Sequence, residues 1–267
     1  MPKLITSSGI EWNFDVEGDG EWMLFIHGWS VDRRIWRQQT KFFAQKFKVI
    51  AIDLPGHGDS SWKKKSLHQM AMDVGEIFDY FNINACRIIG SSLGGMLALQ
   101  ICDILPQRVK SLTLVGSMPK FSKSDDYLCG IDVSHIRKLN GQLNNAFPSV
   151  VDVFFRSLFT KQERESRRFK WLQVFRKAQA APMKLALVEY LDVLEQEDLR
   201  GSLPRLKMPF QIVNGTHDPL CTLETVKYLQ AHCPHAKVDL FSDCGHFPFL
   251  SKPHEFNSVL ERFFNNT

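Results

Sequence analysis

The sequence has no apolar run that reaches the roughly 20 residues of a membrane span. Its first residues, Met1-Pro2-Lys3-Leu4-Ile5-Thr6, lack the apolar stretch of a secretory signal. The six cysteines (Cys86, Cys102, Cys129, Cys221, Cys233, Cys244) are scattered, with no CxxC pair and no zinc-ligand spacing. That argues against a disulfide scaffold and a zinc module, and it suits free thiols in a reducing cytoplasm. A net charge of +4 is too mild to suggest a nucleic-acid partner. Internal repeats and low-complexity tracts are also missing. The expectation is a cytoplasmic monomer without metal; at 267 residues and 44% hydrophobic content the chain suits one domain with an insertion, or two small ones.

Apolar periodicity then supplies an order of elements. Residues from about Leu4 to Val16 read as a hairpin around Ser7-Ser8-Gly9. Strands follow at 22–26, 48–53, 87–90, 111–115, 210–213 and 237–241. Helices are expected at 33–45, 67–81, 92–104, 223–232 and 253–264. Such alternation predicts an α/β fold, a mostly parallel sheet with helices on both faces. The alternation stops between Ser117 and Leu203, where only helices are legible, near 133–147, 150–159, 162–179 and 182–194. The expected division is a core of residues 1–117 and 204–267 with a helical lid of 118–203.

The chemistry centres on Gly90-Ser91-Ser92-Leu93-Gly94, between a strand and a helix. A serine between glycines at such a turn matches the nucleophile elbow of the α/β-hydrolase fold. The small residues let strand and helix pass closely, and the helix N-terminus favours an oxyanion. Alone, G-x-S-x-G is as often an ordinary Ser/Gly turn. Two later residues strengthen it, in the chain order that this fold requires. Asp218 follows the strand 210–213 and is the candidate acid, though on local grounds alone a turn or helix cap is the better reading. His246 follows the last strand and is the candidate base. His57, in Asp53-Leu54-Pro55-Gly56-His57-Gly58-Asp59-Ser60, precedes the nucleophile and is read as structural. The oxyanion donors are expected to be the amides of Leu93 and Trp29, with Gly28 letting the backbone turn. The Trp29 ring is either a pocket wall or plain core.

These residues, with His27-Gly28-Trp29, resemble the α/β-hydrolase superfamily along nearly the whole chain. Trp36-Arg37, Gly116-Ser117-Met118-Pro119-Lys120-Phe121-Ser122, Asp198-Leu199-Arg200, Met208-Pro209-Phe210 and Cys244-Gly245-His246-Phe247-Pro248-Phe249 narrow it. They are similar to the bacterial pimeloyl-[acyl-carrier protein] methyl ester esterases of biotin synthesis. The resemblance implies a cofactor-free Ser-His-Asp esterase that frees pimeloyl-carrier and methanol, and that also takes small esters. It implies Phe154 as a wall of the acyl channel and Arg164, Arg167 and Arg168 as contacts to an acidic acyl-carrier protein. Residue by residue, a solvated amphipathic face explains those arginines better, and only as a cluster do they suggest docking. The chain departs from the family at Ser91, where tryptophan is usual, and at Ser30, where glycine is usual. A small Ser91 is expected to widen the pocket. Alternatives are a broad short-chain carboxylesterase, a thioesterase, a carbon–carbon bond hydrolase or a non-catalytic binding protein on the same scaffold.

Overall fold

The computed structural model describes residues 2–178 and 181–267. Eight strands form one sheet in the order β1-β2-β4-β3-β5-β6-β7-β8. β1 (Lys3–Ile5) and β2 (Glu11–Glu17) form the expected hairpin, and β2 also runs antiparallel to β4 (Phe47–Ile52). The remaining neighbours are parallel: β3 (Glu21–Ile26), β4, β5 (Cys86–Ser91), β6 (Val109–Val115), β7 (Phe210–Gly215) and β8 (Lys237–Phe241).

The central strands are apolar on both faces because both faces are covered. In β3, Leu24 and Ile26 join one core layer and Met23 and Phe25 the other. The first layer is closed by α2 (Leu67–Tyr80), through Met70, Val74 and Ile77, and by α3 (Leu93–Ile104). The second is closed by α1 (Arg37–Phe43) and by a C-terminal helix at Pro253–Phe264, through Phe256, Leu260 and Phe263. Ser66 and Gln69 cap α2 reciprocally, which sets its start where the pattern predicts it.

Among the described residues, five α-helices lie between β6 and β7: α4 (Val133–Ala146), α5 (Ser149–Ser157), α6 (Lys161–Glu165), α7 (Arg167–Lys177) and α8 (Lys184–Gln196). After β7 come α9 (Leu223–His232), α10 (Pro248–Ser251) and α11, the C-terminal helix. Two expected helices differ. The 33–45 segment opens as a tighter 3-10 turn, Arg33–Trp36, capped by Asp32, before α1. The 162–179 segment is broken at Ser166, whose extended backbone (ψ 153°) caps α7 with its own hydroxyl, accepting from the Phe169 N–H at 3.1 Å. Gln179, the expected end of that helix, lies outside the described residues. Among the described residues no helix is long and apolar enough to cross a membrane.

The strand order positions the site. From β3 the chain moves to β4 on one side and then to β5 on the other, so the winding reverses between β3 and β5. Ligand crevices of open α/β sheets lie at such a reversal, beyond the strand C-termini. Ile26 pairs with Gly90, so the loops after β3 and β5 emerge level with each other.

Candidate active site

β5 ends at Ser91 and α3 starts at Leu93, which leaves Ser92 alone to make the turn. It does so at φ 54° and ψ −122°, a conformation that costs a side-chain-bearing residue about 1–3 kcal/mol. The surroundings hold it there. The Ser92 N–H donates to the Val115 carbonyl at 3.0 Å, and the Ser92 carbonyl accepts from the Ser117 hydroxyl at 2.7 Å. A Cβ at Gly90 would lie 2.5 Å from the Gly94 carbonyl oxygen, and one at Gly94 would lie 2.3 Å from that of His27. Strand, helix and β3 loop pass too closely for any side chain at either position.

Asp218 and His246 sit beyond β7 and β8 and meet in the interior. His246 Nδ1 donates to Asp218 Oδ2 at 2.8 Å, and the two residues are buried. With the proton on Nδ1, Nε2 is left as the basic nitrogen. Asp218 Oδ1 accepts the amides of Leu220 (2.8 Å) and Cys221 (3.0 Å). Asp218 is therefore a turn-former and a histidine partner at once. It does not cap α9, whose N-cap is Thr222.

The loop after β3 lies against the elbow. A Cβ on Gly28 would lie 3.0 Å from Ser92 Cβ. The residue in the left-handed region is Ser30 (φ 67°), not Gly28. Gly28 thus serves close approach, and the turn expected of it is made two residues later. Among the described residues, the Trp29 and Leu93 amides have no hydrogen-bond acceptor, although both residues are buried. Buried donors without acceptors are uncommon and suit a site that receives an oxyanion.

Two histidines brace this loop. Ser30 N–H donates to His57 Nε2 at 3.2 Å, while His57 Nδ1 lies 3.2 Å from the Pro55 carbonyl. Leu54 N–H donates to His27 Nε2 at 2.9 Å, and His27 Nδ1 lies 2.8 Å from the Gly28 carbonyl. In both rings Nε2 accepts, so Nδ1 donates and each is neutral. Burial first, and then the neighbouring His27, push His57 down to about 3; burial also lowers His27. His57 is structural, as its place in the chain suggests. Beneath it the Arg33 guanidinium pairs with Asp53, and with Asp59 at 2.9 Å.

Ser92 and His246 open into one cavity of about 620 Å³, counting its open mouth. Trp29, Phe121, Ile136, Leu139, Phe154 and Leu191 form most of an apolar wall. Phe154 meets Trp29 edge to face at 4.9 Å, and Trp29 Nε1 donates to the Leu187 carbonyl at 3.0 Å. Trp29 is thus both wall and structural tie. Ser91 does not line the cavity; it is fully buried and its hydroxyl has no hydrogen-bond partner among the described residues. The widening expected of Ser91 therefore has no direct route.

His135, on α4, also lines the cavity and escaped the sequence reading. Its only local signal is a polar residue next to apolar Ile136 and Leu139, a common pattern on any surface helix. The three arginines expected at a carrier surface differ in engagement. Arg164 donates to the Phe159 carbonyl, and Arg168 to the Leu250 carbonyl and, at 2.7 Å, to Gln38 Oε1. Arg167 is exposed. No group of three or more His, Cys, Asp or Glu residues among those described is disposed to hold a metal ion.

An elbow serine, a buried His–Asp pair and a loop with free amides, at the reversal of a parallel sheet, define an α/β hydrolase. The profile of the family described as alpha/beta hydrolase fold matches residues 21–253. The chain belongs to the pimeloyl-[acyl-carrier protein] methyl ester esterase family, a group of carboxylic-ester hydrolases. It is 32% identical to the protein of that name from Klebsiella pneumoniae over 250 residues, 92% of this chain and 94% of that one. It is 28% identical to the Nitrosomonas europaea protein of the same name, covering 93% and 98%. In fold it is similar to an esterase from Exiguobacterium antarcticum, with a TM-score of 0.91 at 22% identity over 98% of each chain.

Proposed function

We propose that this chain hydrolyses the methyl ester of a pimeloyl chain carried by acyl-carrier protein, releasing free pimeloyl-carrier and methanol in biotin synthesis. The observation that carries this reading is the shared apolar cavity of Ser92 and His246, with His246 bonded to Asp218 at 2.8 Å. The names of the relatives supply the substrate class.

In this reading Ser92 Oγ attacks the ester carbonyl carbon while His246 Nε2 takes its proton. Asp218 holds the tautomer and stabilises the imidazolium. The amides of Trp29 and Leu93 bind the oxyanion. His246 then protonates the departing methoxide, and methanol leaves an acyl-Ser92 ester. Water, activated by His246, attacks that ester and regenerates Ser92 with the free carboxylate. Residues 118–203 act as a lid: Phe154, Ile136 and Leu191 line the acyl channel, and water is excluded from the reacting centre. The exposed Arg156, Lys161, Arg167 and Lys170 face the carrier.

The test compares pimeloyl-carrier methyl ester with a small aryl butyrate, using wild type and Ser92→Ala. A Ser92-dependent preference for the carrier ester in kcat/KM is expected. A preference for the aryl ester would leave a general esterase, and full turnover by Ser92→Ala would remove the nucleophile assignment.

A further inference from the structure

The loop that bears His246 is bound to the lid as well as to the core. Glu163, the third residue of α6, is the centre of that attachment. Its Oε2 accepts the Thr160 N–H at 2.6 Å, completing a capping box in which Thr160 Oγ1 accepts the Glu163 N–H at 3.1 Å. The same Oε2 accepts the Gly245 N–H at 3.1 Å, and Oε1 accepts from Cys244 Sγ at 3.1 Å. Burial first, and then the Glu163 carboxylate, raise the Cys244 thiol, so it stays protonated and donates. One residue on, the His246 N–H donates to the Leu158 carbonyl at 2.9 Å. Three successive residues of the loop are therefore held by α6 and by the connection that leads into it from α5. The fit is close, because a Cβ at Gly245 would lie 2.3 Å from the Leu158 carbonyl oxygen. From the core side, the loop backbone accepts the His217 N–H at the Cys244 carbonyl, at 2.9 Å.

A capping box by itself uses its carboxylate on the helix start. This carboxylate has a second task, because the residues it grips immediately precede the catalytic base of the proposed mechanism. We propose that Glu163 is a positioning residue: it holds the Cys244-Gly245 backbone, and so sets where His246 stands relative to Ser92. The lid then determines the reactivity of the site as well as its shape. The inference rests on His246 being the base. The misplacement expected when this grip is lost is of the kind that costs a reaction tenfold to a hundredfold without weakening substrate binding.

The test uses a small aryl butyrate, which needs no carrier. For Glu163→Ala, kcat is expected to fall by about tenfold or more with KM within about twofold. The rate at which a fluorophosphonate labels Ser92 should fall in parallel. Glu163→Gln keeps an oxygen for the Gly245 N–H and should recover most of the loss. Thr160→Val removes the other half of the capping box and leaves the grip on Gly245, so it should turn over at close to the wild-type rate. Should the alanine variant not fold, Glu163→Asp carries the test: it keeps the charge and the Thr160 Oγ1 half of the cap but draws the carboxylate back from Gly245, and the same loss of kcat is expected. Wild-type kcat in folded Glu163→Ala or Glu163→Asp overturns the proposal. So does an equal loss in Thr160→Val, which would reduce Glu163 to a helix cap, or a glutamine variant as slow as the alanine one. Ser92→Ala is run alongside: if it retains activity, the active-site assignment has failed; if only it is inactive, this inference alone has failed.

Discussion

His246 and Asp218 meet through one buried hydrogen bond of 2.8 Å, while the second carboxylate oxygen of Asp218 is taken by the amides of Leu220 and Cys221. The carboxylate is thereby unable to turn away from the imidazole. Asp218→Asn cannot satisfy both sides, because its NH2 group must face either the two amides or the Nδ1 proton. Flipping the tautomer relieves the second conflict and takes away the basic Nε2. We expect kcat on an aryl ester to fall by about 10⁴-fold with the fold intact by circular dichroism. A loss smaller than tenfold would argue that Asp218 only shapes its turn.

Stability should decline with acid for a reason located under the loop that follows β3. His27 and His57 are neutral in the folded chain, and His57 is pushed down to about 3. Unfolded, each takes a proton near the ordinary histidine value of about 6.5. Between about 6.5 and 3 the unfolded chain binds more protons, so stability is full above that window and is lost as pH falls through it. Across that window His57 contributes a slope of about 1.4 kcal/mol per pH unit, and the lowered His27 acts in the same direction. Urea denaturation at pH 7 and pH 5 measures it. His57→Asn should be less stable at pH 7 and show a shallower pH slope, and an unchanged slope would contradict the burial account.

Gly94→Ala places a methyl group 2.3 Å from the His27 carbonyl and 2.5 Å from that of Ile26. Backbone atoms of β3 cannot yield without opening the β3–β5 crevice. A loss of about 2–4 kcal/mol in stability is expected, with activity lost alongside. Thermal unfolding within 2 °C of wild type would show that the loop moves freely.

Charge reversal should separate Arg167 from Arg168. Arg167→Glu, at an exposed position, should raise KM for a carrier-bound ester and leave an aryl ester unaffected. The effect should fade as salt is raised. Arg168→Glu breaks the ties to Leu250 and Gln38, so it should lower thermal stability and slow both substrates. If Arg167→Glu slowed both substrates equally, the docking role of that face would be withdrawn.

Much of this molecule is legible along the chain because its signals are local. The apolar runs at Trp22–Ile26 in β3 and at β5 predict buried parallel strands, and both are found. Ser92, Asp218 and His246 each stand just beyond a strand, where any α/β sheet displays its loops. The boundary errors are local as well: Ser166 ends one helix and caps the next, a role that its hydroxyl can fill without breaking the apolar period.

The sequence by itself determined the alternation of strand and helix, the placing of Ser92, Asp218 and His246 just beyond strands, and the helical character of the insertion. Periodicity and turn chemistry act over a few residues, and a single chain displays them. Only the tertiary structure decided that β3 lies between β4 and β5, that His135 reaches the cavity, that Ser91 does not, and that Arg168 is a strut. It also decided that Glu163 grips Gly245, 82 residues away. Such contacts arise when separate elements pack on a shared core, and the identity of either partner alone carries no trace of the other.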